Sequence, residues 1–415
     1  MLSDYSKPIK LVVFLEQKIQ IGGGHQQALN SILFVNSLSK DICDPSFIVT
    51  DKENIKILSN YGINSIYLKI SIFRRVIMSL KRRIYIPISM QWIRNLIGKS
   101  YVECFLDKLN TELIYFTSPS SLPKYLSKYN FIYTVWDLSH RDEVEFPEVR
   151  ENFVFERRDE LNKNILPKSI AILVDSIVGS KNLVKRYGVD KNRVLVMPFS
   201  PAENIVVSNQ DYEKNFIDIK NKYNIKFDYL FYPAQFWPHK NHIYILKALK
   251  TLQEKYNIKI GVIFSGSDKG NMQYIKDSVC EFELSEQVVF TGFVSNTEMR
   301  YLYRQSFALT MPSYFGPTNL PPLEALNLGV PIIYGDINGA REQLHDAAIF
   351  LDLSNYHSLC DAVISLKNDN VRNNLIEKGF NQLEYINNKR NKAEDEFKKV
   401  FLKFNNRRDC WSSHL

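Results

Sequence analysis

The chain has 415 residues, more than one hydrophobic core usually serves, so two domains are expected. With 45% hydrophobic residues, no apolar run near the ~18–20 residues of a membrane span and no signal-peptide pattern in "MLSDYSKPIKLVVFL", it reads as a soluble protein. Its five scattered cysteines argue against a disulfide framework or zinc site and for a reducing cytoplasm, and its net charge of +8 is moderate.

In chain order, strand patterns fall at 10–15, 46–50, 65–69, 113–117, 131–136, 171–174 and 193–197, with helical patterns between them. A polar stretch without period, around 200–225, interrupts the alternation. It then restarts with strands at 229–232, 259–264, 288–291, 307–311, 331–334 and 348–351. Strands alternating with helices predict an α/β protein of two doubly wound, parallel-sheet domains, 1–205 and 206–390. The final run, 391–415, is long enough to cross back to the first domain. Two such domains facing each other would put their strand carboxyl ends on one shared cleft.

Several segments carry candidate chemistry. After the first strand, Gly22-x-Gly24-x-x-x-Ala28 approaches a dinucleotide fingerprint, but a spacer separates it from the strand end, which disfavours a dehydrogenase. The segment 71–108 mixes Arg74, Arg75, Lys81, Arg82, Arg83, Arg94 and Lys99 with Ile, Met, Tyr and Trp. That mixture fits a helix on an anionic membrane surface, with a solvated basic face as the alternative; no nucleic-acid-binding signature accompanies it. Trp136-Asp137, His140 and Arg141 follow the strand at 131–136.

In the second unit, "YLFYPAQFWPHKNHIYILKAL" sets Lys240 at a loop–helix junction, where a phosphate on the helix N-terminus would be in reach. His239 and His242 have the spacing of a metal pair but no third ligand. Gly266 and Gly292 end two strands. In "PSYFGPTNLPPLEALNLGVPIIYGD", Pro321 and Pro322 suit the first turn of a helix, and Glu324 lies near its positive end.

This last stretch resembles the nucleotide-binding signature of retaining glycosyltransferases of family 4, whose architecture is the two-domain GT-B fold. The resemblance implies a nucleotide-diphosphate sugar donor, linked to GDP or UDP. Glu324 would hold the ribose, and Lys240 would neutralise the leaving diphosphate. The remaining donor contacts would be Gly316, Thr318, Leu320, Gln235, Gly266, Val294, Gly23 and Gly24. His140 and Asn319 would join Lys240 in catalysis, with Asp137 and Arg141 on the acceptor side. Two family positions differ: Gln235 replaces an arginine, and Gly316 stands where a glutamate is usual. No Asp-x-Asp clamp occurs, so neither metal nor other cofactor is expected.

The expected protein is a cytoplasmic hexosyltransferase on the inner face of the plasma membrane, with mannose a candidate sugar. Its acceptor would be a glycan or polyprenyl-linked sugar of bacterial surface polysaccharide such as O-antigen or capsule. An epimerase or phosphorylase of the same architecture, or a non-catalytic assembly scaffold, are the rival readings.

Overall fold

The computed structural model describes residues 7–16, 23–83, 99–201, 216–316 and 318–411. Strands β1 (Ile9–Leu15), β2 (Cys43–Val49), β3 (Ser65–Tyr67), β4 (Leu113–Phe116), β5 (Asn130–Thr134), β6 (Ala171–Val174) and β7 (Val194–Val196) form one sheet. Its order is β3-β2-β1-β4-β5-β6-β7. Strands β8 (Tyr229–Pro233), β9 (Gly261–Ser265), β10 (Val288–Phe290), β11 (Ala308–Met311), β12 (Ile332–Gly335) and β13 (Ile349–Leu351) form the second, ordered β10-β9-β8-β11-β12-β13. Every recorded pairing is parallel. Helices on both faces bury the strands, which is why β4, β6 and β9 are buried throughout and read as apolar runs rather than alternating patterns.

Each strand expected from the sequence is present, with ends shifted by at most three residues. The sheet order sets where ligands can bind. In each sheet the order reverses beside the first strand, between β1 and β4 and between β8 and β11. Loops leaving the carboxyl ends of strands at such a point splay apart and leave a crevice.

The tail differs from the sequence reading in one respect. Residues 391–408 are not a separate element but the end of a single helix, Asp369–Arg408. Leu375, Leu383 and Ile386 pack in the core of the second domain, whereas Phe397, Phe401 and Phe404 join the core formed by β1, β2 and β4. The 4- and 3-residue spacing keeps those three rings on one face. Arg408 closes the far end through Glu112 Oε2 at 2.6 Å. Of the interdomain stretch, residues 202–215 lie outside the described residues.

Candidate functional site

At the switch point of the second sheet, the loops after β8 and β11 lie side by side. Tyr314 N donates to His239 O at 2.9 Å, and the buried Tyr232 hydroxyl reaches both Lys240 O (2.8 Å) and Ser313 Oγ (2.9 Å). Lys240 ends the 3-10 turn Pro238–Lys240, and left-handed Asn241 (φ 54°) then turns the chain into the helix His242–Tyr256. No side chain caps that helix, and the buried Asn241 Nδ2 has no hydrogen-bond partner among the described residues. Lys240 forms no ion pair with a described residue; burial, partly offset by Glu148, pulls its ammonium down to about 8. This is an ammonium ready to gain an anion.

Glu324 lies on the helix Leu320–Leu328, buried, with Oε2 accepting from the Tyr303 hydroxyl at 2.7 Å. Burial, only partly countered by that bond, raises its carboxyl to about 7. The preceding loop is internally fastened. Asn319 Nδ2 donates to Gly316 O (2.5 Å), and Asn319 N donates to Gln343 Oε1 (3.1 Å). Asn319, expected in catalysis, therefore holds the loop closed, and Gly316 supplies the positive φ of 88° that the bend requires. Leu320 is a core residue.

Gly266 serves packing. A Cβ there would fall 2.2 Å from Ala234 O, so only glycine lets the loops after β8 and β9 cross. Gln235 Oε1 accepts from Trp237 Nε1 at 3.1 Å, fixing the β8 loop from within. The Val294 side chain is buried in the second-domain core, beside the highly exposed Phe293. His242 is buried between aromatic rings, stacked on Phe236 at 4.4 Å, and is no metal ligand partner for His239. Gly23 and Gly24 begin the helix Gly23–Ser37; the residues leading into it, 17–22, lie outside the described residues.

The first domain meets these loops through the segments after β5 and β6. Glu148 reaches across to His239, accepting from its N (3.0 Å) and pairing with Nδ1 (2.5 Å), while Phe146 packs among His239, Tyr314 and Phe315. Asp175, the residue after β6, accepts a short hydrogen bond from Thr318 Oγ1. In the other direction, the Glu342 carboxylate accepts from Ile177 N (2.7 Å) at the N-terminus of the helix Ile177–Tyr187, where the helix dipole favours an anion.

Between the domains lies a cavity of about 300 Å³, bounded mainly by first-domain residues from Val135 to Arg186 and by Tyr314, Phe315, Gly316, Ile337 and Asn338. Asp137 lines it. Burial alone would raise its carboxyl, but Arg158 at 2.5 Å and the Ser139 hydrogen bonds hold it at about 2. His140 does not line it. That ring is buried against Phe155, with Nε2 2.9 Å from the Tyr187 hydroxyl, and burial lowers it to about 4. Arg141 is likewise committed, its Nε donating to Asp159 Oδ1 at 2.7 Å. The structure thus removes His140 and Arg141 from the cavity wall, because both satisfy an internal Tyr187–Asp159 network.

Glu148, Asp175, Tyr303 and Glu342 were not singled out from sequence. Asp175 had a signal, a carboxyl at the carboxyl end of a buried strand, whereas the cross-domain contacts of Glu148 and Glu342 have no local signature.

Residues 213–382 match the family model described as "Glycosyl transferases group 1". The O-antigen chain mannosyltransferase RfbU of Salmonella typhimurium is 27% identical over 47% of this chain and 50% of its own length. O-antigen chain mannosyltransferase B of Escherichia coli is 21% identical over 51% of this chain and 58% of its own. The chain therefore spans about half the length of these relatives. A glycosyltransferase from Rickettsia africae superposes with TM-score 0.68 at 14% identity, covering 96% of this chain and 99% of that one. Anabaena HepE, solved with UDP-glucose, gives 0.67 at 14% identity, covering 93% and 99%. The second domain of this chain matches the glycosyl transferases group 1 family model, and the two domains together have the GT-B fold.

Proposed function

We propose that this protein is a retaining, family-4-like glycosyltransferase that moves a hexose from a nucleotide-diphosphate sugar to a glycan or polyprenyl-linked acceptor of a surface polysaccharide. The observation that carries the reading is Lys240, an ammonium without an ion pair among the described residues, on the loop–helix junction at the second sheet's switch point. Glu324, one strand further along that crevice, is the matching acceptor for a ribose diol. The mannosyltransferase relatives support the substrate class, and mannose is the first sugar to test.

In the reaction proposed, the acceptor oxygen bonds to the anomeric carbon on the face the diphosphate leaves. The sugar–oxygen bond breaks with its electron pair on the diphosphate, and the acceptor proton passes to a diphosphate oxygen. Charge grows on the diphosphate as that bond breaks, so Lys240 and the N-terminus of the helix His242–Tyr256, which no side chain caps, bind the transition state more strongly than the intact donor. This arrangement asks for no metal, and activity should persist in EDTA.

A membrane surface suits such an acceptor. No helix among the described residues is long and apolar enough to cross a bilayer, but Ile72, Phe73, Val76 and Leu80 stand exposed on the helix Ile72–Arg83. The side chains of Lys81, Arg82, Arg83 and Arg94 lie outside the described residues. We place the protein on the inner face of the plasma membrane.

Thermal unfolding with UDP- and GDP-linked sugars tests the reading. A donor at 100-fold its Kd adds roughly 2.7 kcal/mol of stability. No shift with any nucleotide-sugar, nucleotide or diphosphate would overturn it.

A further inference from the structure

The interdomain cavity has a chemical character of its own. Of the residues assigned to the donor, Gly316 lines it, whereas Lys240, Glu324, Gln235 and Val294 do not. Most of its wall belongs to the first domain, on the far side of the Gly316 loop from Lys240 and Glu324. Its charged walls are Asp137, Asp142, Glu143 and Asp175 against Lys185 and Arg186, and Arg186 is already paired with Asp142 at 2.7 Å. Asp137 is likewise paired, with Arg158 at 2.5 Å, so Asp175 and Glu143 are the carboxyls left to accept from hydroxyl donors. Trp136 adds an aromatic surface, and Ser139, Asn182 and Asn338 add neutral polar groups. Apolar surface with a few convergent polar groups is the make-up of a small-molecule site.

Asp175 is the carboxyl where the two domains meet. Buried at the end of β6, it accepts from two hydroxyls, Ser176 Oγ at 3.0 Å and Thr318 Oγ1 across the cleft. Ser176 belongs to its own domain and also caps the helix Ile177–Tyr187 through Gly179 N. Thr318 belongs to the other domain and is exchangeable, because its hydroxyl is held by Asp175 alone among the described residues.

Resting on the reading above, we infer that this cavity takes the neutral, hydroxyl-rich terminus of the acceptor rather than its phosphate, and that Asp175 holds the attacking hydroxyl, which replaces the Thr318 hydroxyl. The held oxygen forms the new bond as the sugar–diphosphate bond breaks with its electron pair on the diphosphate. Its one proton, donated to Asp175 in the bound state as the Thr318 hydroxyl's is now, transfers to that carboxylate first and from there to the departing diphosphate. Burial, opposed in part by the Thr318 and Ser176 hydroxyls, pushes Asp175 up to about 7, as suits a carboxyl that meets hydroxyls rather than cations.

The test uses the full chain saturated with UDP and, separately, with GDP. Methyl α-D-mannoside, methyl α-D-galactoside and methyl N-acetyl-α-D-glucosaminide are the probes, with inorganic phosphate as the anionic control and binding read by ligand-observed NMR. The nucleotide-loaded protein should bind at least one glycoside, and phosphate should not compete with it. Asp175→Asn should weaken that binding tenfold or more with nucleotide affinity within twofold, and Asp175→Glu should recover part of the loss. In transfer assays Asp175→Asn should raise acceptor KM and lower kcat without changing donor KM. Glycoside binding that is absent from the wild type, equal in Asp175→Asn or displaced by phosphate overturns the inference, while nucleotide binding leaves the proposed function standing. A wild type that binds neither nucleotide nor nucleotide-sugar overturns that function first, and the inference with it.

Discussion

Burial pulls Lys240 to about 8, and a bound diphosphate would raise it again. Donor binding between pH 8 and 9 should therefore take up a proton. Calorimetry in buffers of different ionisation heat should show this uptake in the wild type and lose it in Lys240→Ala. An ion pair at ~4 Å and an effective dielectric of ~20 gains roughly 4 kcal/mol before desolvation. Lys240→Ala should lower kcat by ~100-fold, the scale on which one transition-state donor acts; a change confined to KM would show that Lys240 contributes uniform binding only. Glu324 behaves in the opposite sense. Its carboxyl, raised to about 7, must ionise to accept a ribose diol fully, so nucleotide affinity should weaken as pH falls through 7. Glu324→Gln should cost at least tenfold, given ~1.5–3 kcal/mol for a charge-assisted hydrogen bond. Unchanged affinity at pH 8 in a folded Glu324→Gln protein would remove Glu324 from the site. Sequence marked both residues because the proline punctuation of their loop–helix junctions is local, although Lys240 ends the turn before its helix and Glu324 lies past the first turn of its own, where the dipole argument is weaker. It gave no sign that His140 and Arg141 are tied to Tyr187 and Asp159, because those partners lie on other elements.

At the scale of elements, the strand alternation was legible throughout, since parallel strands covered on both faces leave continuous apolar runs between turn residues. The docking of the two domains was not. It depends on the short helix Pro147–Arg150, whose proline sets its start but says nothing of where Glu148 reaches. Glu148 Oε1 satisfies two His239 groups, and its charge also favours the Lys240 ammonium. Glu148→Ala leaves the His239 N–H unsatisfied, and losing a buried partner costs ~1–3 kcal/mol. The clasp should loosen, seen as a larger radius of gyration in solution scattering without donor. With Glu148's charge gone, Lys240 should fall further below 8, moving the alkaline loss of activity to lower pH. A radius and a pH profile both identical to wild type would mean that Glu148 neither closes the cleft nor tunes Lys240.

Across the whole molecule, the helix Asp369–Arg408 ties the second domain to the first sheet, so the outward face of the first domain is presented in a fixed relation to the cleft. On that domain the helix Ile72–Arg83 anchors itself through Met78, 2% exposed, and through Ser79 bonded to Tyr125, leaving Ile72 (82%), Phe73 (73%), Val76 (50%) and Leu80 (58%) in the open. The sequence suggested a basic docking segment, but the described part of this helix gives the apolar contribution more weight. Arg74 is committed, its guanidinium 3.8 Å from the Tyr101 ring and donating to Lys69 O. A basic side chain near an anionic leaflet contributes about 1 kcal/mol, and a fully buried large apolar side chain about 1.5–3 kcal/mol. Burying even part of four such side chains should at least match what Arg75, Lys81, Arg82 and Arg83 together supply at about 1 kcal/mol each. Sedimentation with phosphatidylglycerol-containing liposomes should therefore survive 0.5 M salt in part. It should be lost when Ile72, Phe73, Val76 and Leu80 are changed to Ser, and only reduced in Arg74→Ser/Arg75→Ser. If the four-serine variant pellets like the wild type, this face does not meet the membrane. If salt alone abolishes pelleting, the charges carry the docking and the apolar face is incidental.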